Sequence, residues 1–441
     1  MKYVVFVPGI MGTRLATPGG DEVWPPTIFE LKFGYRRIAE LMDPGLVTGD
    51  IIREVACFDV YEPIIDIFAE MGFRETGGGD RLSVFAYDWR RDLELLAERM
   101  AAHIEALPAA ATSIDIVAHS MGGLIARLLL ESGKYAARPW FAKITGLITI
   151  GTPHRGAPLA LARILGLDSA MGVAAKDFAL MAGDRRYPSG YQLLPAPGEQ
   201  ACWDVKPGSP LPDIDFYTPA GAAALGLDFE LVKRAAWVHE TFAAGSVPAH
   251  VRYFYFGGTG HETVTRVNIG QAARQPTRSR DAGDGTVPLW SALPVNGQKQ
   301  LVVGEHMSFF GEDNFRPVFF RLFGKPGPTP VTVKRIDGID VPTASLSVQS
   351  VVLTRDRKIE VLIVPAVPLA HIEGSLVLER TEDPATPFTA FRPPVPVHYE
   401  GPELPSVRLS LPPTGLNGLY RLSFVGAPHV GRPAQFAVTD V

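Results

Sequence analysis

Two patterns of apolar and polar positions divide this chain. Before Gly324, short continuous apolar runs rich in β-branched residues are spaced by stretches with helical period; after it, short alternating runs follow one another with only turn residues between them. The continuous runs Lys2–Phe6, Ser113–Val117, Val251–Phe256 and Leu301–Val303 predict buried strands. The second passes through Ser120-Met121-Gly122-Gly123 straight into an apolar-periodic helix, so it reads as strand, sharp turn, helix. From about residue 155 to 250, helical periods over Leu159–Leu167 and Gly221–His239 mix with loop-rich pieces such as Tyr187-Pro188-Ser189-Gly190 and Pro207-Gly208-Ser209-Pro210. A tract this long between strands is expected to form a helical cap over the sheet edge. Lys325-Pro326-Gly327-Pro328-Thr329-Pro330 then reads as a stiff linker. Beyond it, the runs Ser345–Thr354, Lys358–Val364, Ser375–Glu379, Val407–Leu411, Tyr420–Phe424 and Gln435–Val438 predict an all-β sandwich. The expected organisation is an α/β catalytic domain over 1–324 with its cap at about 155–250, a linker at 325–330 and a β-sandwich accessory domain over 331–441.

Composition narrows this picture only slightly. At 441 residues and 46% hydrophobic content, two domains with substantial cores are expected. A formal net charge of −5 points away from nucleic acid, and no basic cluster suggests standing attraction to an anionic membrane. Two cysteines, Cys57 and Cys202, make no disulfide framework and read as buried thiols, with a pairing across the cap left open. The apolar start before Pro8 is too short for a signal segment, and no apolar run approaches transmembrane length. A cytoplasmic location is expected, with export by a route lacking an N-terminal signal as the exception.

The candidate chemistry lies at the strand ends. Ala118 and Gly122, two residues before and after Ser120, are small enough for a tight strand-to-helix turn, which would lift the Ser120 hydroxyl out of the sheet and leave the Met121 N–H at a helix N-terminus. After the first strand, Val7-Pro8-Gly9-Ile10-Met11-Gly12-Thr13 can turn the Ile10 N–H into the same space, giving an oxyanion hole of Ile10 and Met121. Asp284, in Gly283-Asp284-Gly285, and His306, in Gly304-Glu305-His306, each follow a strand late in the chain. The order Ser, Asp, His predicts Ser120 as nucleophile, His306 as the base that takes its proton, and Asp284 as the group fixing the imidazole tautomer. His119 is expected to point away from the nucleophile and pack in the core, His154 to be structural or to line the pocket, and Asp281 to rank behind Asp284. No paired-histidine or Cys/His motif predicts a metal, and no cofactor is expected.

Five separated motifs resemble those of the lecithin:cholesterol acyltransferase-like family of α/β-hydrolases: Val7–Thr13, Tyr87-Asp88-Trp89-Arg90, Ala118–Gly123, Gly151-Thr152-Pro153 with Gly156-Ala157-Pro158, and Gly283–Pro288 followed by His306. The resemblance spans Met1 to about Gly324. It implies an α/β-hydrolase fold, matches Ser120, Asp284 and His306 to the family triad and Ile10 and Met121 to its oxyanion positions, and implies a structural Asp88–Arg90 pair near the site. The signal or anchor and the disulfide-closed lid of eukaryotic members are not evident here. The expected function is a serine hydrolase or O-acyltransferase acting on lipid acyl esters, phospholipase- or lipase-like, at a membrane surface or on free ester, through an acyl-serine. The alternatives are a carboxylesterase or deacylase for smaller or protein-linked esters, a delivered membrane-attacking lipase toxin, and a non-catalytic binding protein on the same scaffold. Trp24, Trp203 and Trp237 are the aromatic candidates for contact with an acyl chain. The C-terminal region is expected to be a rigidifying accessory unit, with binding of an unidentified partner as its alternative.

Overall fold

Six strands pair side by side in one parallel sheet: β1 (Lys2–Val7), β2 (Arg81–Val84), β3 (Ser113–His119), β4 (Ile144–Ile150), β5 (Arg252–Thr259) and β6 (Gln298–Val303). The computed structural model describes residues 1–55, 58–311, 314–328, 333–336 and 338–440. Strand order across the sheet is β6-β5-β4-β3-β1-β2, with every neighbouring pair parallel. Side chains alternate between its two faces. Val5, Val7, Ile114, Ile116 and Ala118 join a core with helices Leu93–Glu105 and Met121–Glu131, while Val4, Phe6, Val117, Ile148 and Phe256 join another with helices Glu62–Glu70 and Arg316–Leu322. Burial on both faces is why β1, β3, β4 and β5 read as apolar runs. The edge strands β2 and β6 are only partly buried, Leu301 being exposed although the run Leu301–Val303 predicts a buried strand.

The strand order reverses between β1 and β3. The chain leaves β1 towards β2 on one side and leaves β3 towards β4 on the other, so the loops at the two carboxyl ends diverge and open a crevice. Gly9-Ile10 and Ser120 stand at that opening.

Between β4 and β5 the chain forms helices Pro158–Ile164, Ala175–Ala182, Pro219–Leu225 and Phe229–Ala244, of which the first two line the cavity at Ser120. The helical period Gly221–His239 is divided in two at Gly226, whose φ of 77° ends the first helix. The sequence pattern also missed a hairpin, His261–Ile269 with Arg274–Gly283, which pairs with Cys202–Asp204 and places Val267 and Ile269 in one core with Leu161, Phe216 and Leu231. This apolar cluster therefore draws on two separate stretches of chain. The outer strand of the hairpin, Arg-Gln-Pro-Thr-Arg-Ser-Arg-Asp-Ala-Gly, has little to bury and gives no apolar alternation. Cys202 is fully buried within this cluster, which pushes its thiol up to about 12; Cys57 lies outside the described residues.

The C-terminal region is β-rich and chiefly antiparallel. One sheet runs Val333–Ile336, Ile339–Val348, Ile359–Pro365, Val407–Leu411, and the other contains Val352–Thr354, Ala434–Thr439, Gly418–Ala427 and Leu369–Thr381. Leu346, Val361, Ile363, Leu376, Leu422 and Phe436 fill the core between them. Strand Val395–Leu404, interrupted by two prolines, carried no readable alternation and pairs beside Leu369–Thr381. This region packs against the first: Leu419 and Ala437 belong to the apolar cluster of the central sheet, and Asn417 Nδ2 donates to the Lys32 carbonyl at 2.7 Å. Among the described residues no helix is long and apolar enough to cross a membrane.

Candidate active site

The turn after β3 is tight and strained. Ser120 has φ 52° and ψ −126°, a conformation an L-residue adopts at a cost of about 1–3 kcal/mol when its surroundings enforce it. Those surroundings are the Ser120 N–H bond to the Ile150 carbonyl at 2.9 Å and the close seat of the following helix on β1. A Cβ at Gly122 would come within 2.5 Å of the Pro8 oxygen, so only glycine permits this approach. The helix N-terminus is thereby presented to the crevice.

Ser120 Oγ lies 3.0 Å from His306 Nε2, and His306 Nδ1 lies 2.8 Å from Asp284 Oδ2. A carboxylate oxygen can only accept, so Nδ1 carries the proton in the neutral ring and Nε2 is left to accept from the serine hydroxyl. The other carboxylate oxygen, Asp284 Oδ1, accepts from the N–H groups of Thr286 (3.0 Å) and Val287 (2.7 Å), which holds the acid in the turn after the hairpin. The His306 N–H donates to the Asp284 carbonyl at 2.9 Å, joining the two turns by backbone as well. All three side chains are buried. Burial alone would drive the proton off His306, but the adjacent Asp284 carboxylate outweighs it, and the imidazole pKa lies above its ordinary value. Gly151, with φ 58°, leaves room for this pair: a Cβ there would stand 3.1 Å from His306 Nδ1 and 3.2 Å from Asp284 Oδ2.

Ile10 and Ser120 line one cavity, together with Met11, Trp89, Leu159, Ile164, Phe178 and Met181; it encloses about 790 Å³ including its open mouth. Its wall is overwhelmingly apolar. Among the described residues, neither the Ile10 nor the Met121 N–H donates to a protein acceptor.

Other residues singled out from the sequence stand elsewhere. Trp24 does not reach the cavity: it is fully buried, donates from Nε1 to the Met11 carbonyl at 2.8 Å and packs edge-on against Trp89, supporting the cavity wall from behind. Trp203 lies on the short strand of the three-stranded sheet with Arg266 over its ring, and Trp237 lies on helix Phe229–Ala244 beside Arg234; neither lines the cavity. The apolar contacts come instead from helices Pro158–Ile164 and Ala175–Ala182, short helices whose inward faces no periodicity could assign to a substrate. Asp281 is exposed and ion-paired with Arg408. His154 is buried against Tyr255 with Nε2 3.0 Å from Thr149 Oγ1, away from the cavity. Asp88 binds the Arg90 guanidinium through both its oxygens at 2.8 Å, and Arg90 also donates to the carbonyls of Leu41 and Asp43. Sequence reasoning passed over Glu305, which is buried beside His306 and has a carboxyl pushed up to about 7, chiefly by that burial.

Residues 34–213 match the family model of lecithin:cholesterol acyltransferase, a span that contains Ser120 and the Tyr87–Arg90 element but not Ile10, Asp284 or His306. No curated protein matches this sequence significantly. Among solved structures, Tle4 in the Tle4–Tli4 complex superposes with a TM-score of 0.51 at 14% identity, covering 71% of this chain and 96% of that one. A metagenomic carboxyl esterase covers 73% of this chain and 74% of its own (TM-score 0.37, 12% identity), and the Bacillus licheniformis lipase BlEst2 covers 73% and 91% (TM-score 0.35, 14% identity). Residues 34–213 are thus similar to the lecithin:cholesterol acyltransferase family, and the central sheet and helices have the α/β-hydrolase fold, followed by a C-terminal antiparallel β-rich region.

Proposed function

We propose that the protein is a serine hydrolase acting on lipid acyl esters through an acyl-Ser120 intermediate. The observation that carries this reading is the hydrogen-bonded series Ser120 Oγ, His306 Nε2, His306 Nδ1, Asp284 Oδ2, opening into an apolar cavity. His306 takes the Ser120 proton as Oγ attacks the acyl carbon, then returns it to the departing alcohol oxygen as the ester C–O bond breaks. Ile10 and Met121 N–H groups stabilise the negative oxygen formed in between, and Asp284 stabilises the imidazolium. Water, deprotonated by His306, then attacks the acyl-serine and releases the fatty acid.

The apolar wall favours an alkyl chain over a polar acyl group, because burying the chain releases about 0.8 kcal/mol per methylene. Incubation with mixed phospholipid and neutral-lipid vesicles, with products identified by mass spectrometry, tests the substrate class. Free fatty acid with the matching alcohol or lysolipid is expected; cleavage confined to short, monomeric esters would make the protein a carboxylesterase. The family match favours a second outcome for the same intermediate, transfer of the acyl group to an alcohol. Titrating a primary alcohol or diacylglycerol into the vesicles and counting acid and ester together separates the two, with hydrolysis expected to dominate and some ester to form.

A further inference from the structure

Behind Ser120 a buried line of polar groups ties together the two loops that flank it. The Gly9 N–H donates to Tyr61 Oη at 2.8 Å, Tyr61 Oη lies 2.9 Å from His119 Nδ1, and His119 Nε2 lies 3.1 Å from the His306 carbonyl oxygen. Tyr61 and His119 are both fully buried. Every proton on this line is determined by its two ends. The His306 carbonyl can only accept, so His119 Nε2 must carry a hydrogen; burial first, and the neighbouring His306 second, hold His119 well below its ordinary pKa, so its Nδ1 is an acceptor. Tyr61 therefore donates its hydroxyl proton to Nδ1 and accepts from Gly9. No alternative arrangement satisfies all four groups.

The line begins one residue before Ile10, passes through the residue before Ser120, and ends on the backbone of His306. Its members come from four distant parts of the chain, and the His119 and His306 rings are in contact with centroids 4.7 Å apart. Resting on the reading of Ser120 as nucleophile, we propose that His119 is a positioning residue, acting through Tyr61, which holds the Gly9–Ile10 loop and the His306 loop in fixed relation on either side of Ser120. A residue with this role touches no substrate. Its loss would misplace the oxyanion donor and the base together, which affects the transition state more than the bound ester.

The test uses the full chain, with active sites counted by fluorophosphonate labelling before rates are measured. Tyr61→Phe keeps the ring packed against Phe6 and Phe310 but removes the hydroxyl, and His119→Asn keeps an acceptor for Tyr61 while withdrawing the donor to His306. Each is expected to lower kcat per titrated site roughly 10- to 100-fold with KM changed less than about 2-fold. His119→Gln, whose terminal amide restores a donor towards His306, should recover part of the loss of His119→Asn. Unchanged kcat per titrated site, with only thermal stability lowered, would reduce the line to packing and overturn the proposal. Should the variants not fold, ¹⁵N-histidine NMR of the unaltered protein decides: His119 must show a neutral ring protonated at Nε2, before and after phosphonylation, and an Nδ1-protonated or charged ring refutes the assignment. Absence of labelling at Ser120 in the unaltered protein would instead refute the nucleophile itself.

Discussion

The central-sheet region buries several apolar clusters and the C-terminal β region one, and the two differ further in what else they bury. Among the described residues, Asp88, Arg90, Asp115, His119, Glu131, His154, His239, His261, Asp284, Glu305 and His306 are all buried in the first, whereas the buried polar residues of the second are the neutral Gln349, Thr381 and Thr439. An ionisable side chain is expensive to bury unless partners hold it. Asp88, Asp115 and Glu131 are held by Arg90, Lys2 and Arg127, while Asp284, Glu305 and His306 cluster in the turns beside Ser120. The parallel sheet has both faces covered by helices and only its carboxyl edge free for chemistry. The C-terminal sheets pack on each other and on the flank of the first region.

The comparison can be broken by substitution. Ser120→Ala, at the centre of the charged edge, should remove phosphonate labelling and lower turnover by roughly four to six orders of magnitude while the folded signal by circular dichroism persists. Labelling that survives would relocate the nucleophile. Asp284→Asn should lower kcat/KM by about four orders of magnitude and also move its pH dependence. The base must be neutral to act, and Asp284 favours the charged form of His306, so activity in the unaltered enzyme falls away on the acid side through a raised pKa. Removing the carboxylate lowers that pKa, and the acid limb of the profile should shift to lower pH; a shift upward would contradict the assignment of Asp284.

Gly151→Ala should have a smaller, mixed effect. The left-handed φ costs an alanine roughly 1–2 kcal/mol, and the added methyl would crowd His306 and Asp284, so both melting temperature and kcat should fall. Intact kcat alongside a lowered melting temperature would show that the triad geometry tolerates displacement. The smallest effect is expected where the two regions meet. Asn417→Ala removes the bond to the Lys32 carbonyl and should cost about 1 kcal/mol in denaturant titration with turnover on a soluble ester unchanged. A large loss of activity from this single change would mean that the C-terminal region shapes the site, and the contrast drawn above would fail.

What the sequence by itself determined is what short stretches of backbone decide. A strand run ending at Ala118-His119-Ser120-Met121-Gly122 can make a strained turn because small residues flank the serine, and Glu305-His306 follows a strand run whose place in the parallel sheet brings its end to the same edge. Gly283-Asp284-Gly285, by contrast, follows the outer strand of the antiparallel hairpin, which no apolar pattern announced. Alternation after the linker likewise announced β structure, since period-two burial is a local property of a strand. The tertiary structure alone decided which apolar side chains face the cavity: Trp24, Trp203 and Trp237 are large and apolar enough to have done so, yet Phe178, Met181 and Leu159 do. It also decided that the hairpin His261–Gly283 would add Val267 and Ile269 to the apolar cluster of the helices before it, and that His119 would meet Tyr61 and the His306 carbonyl. These outcomes depend on side chains separated by tens to hundreds of positions being packed into one volume, and no periodicity within a segment records which distant segment will cover it.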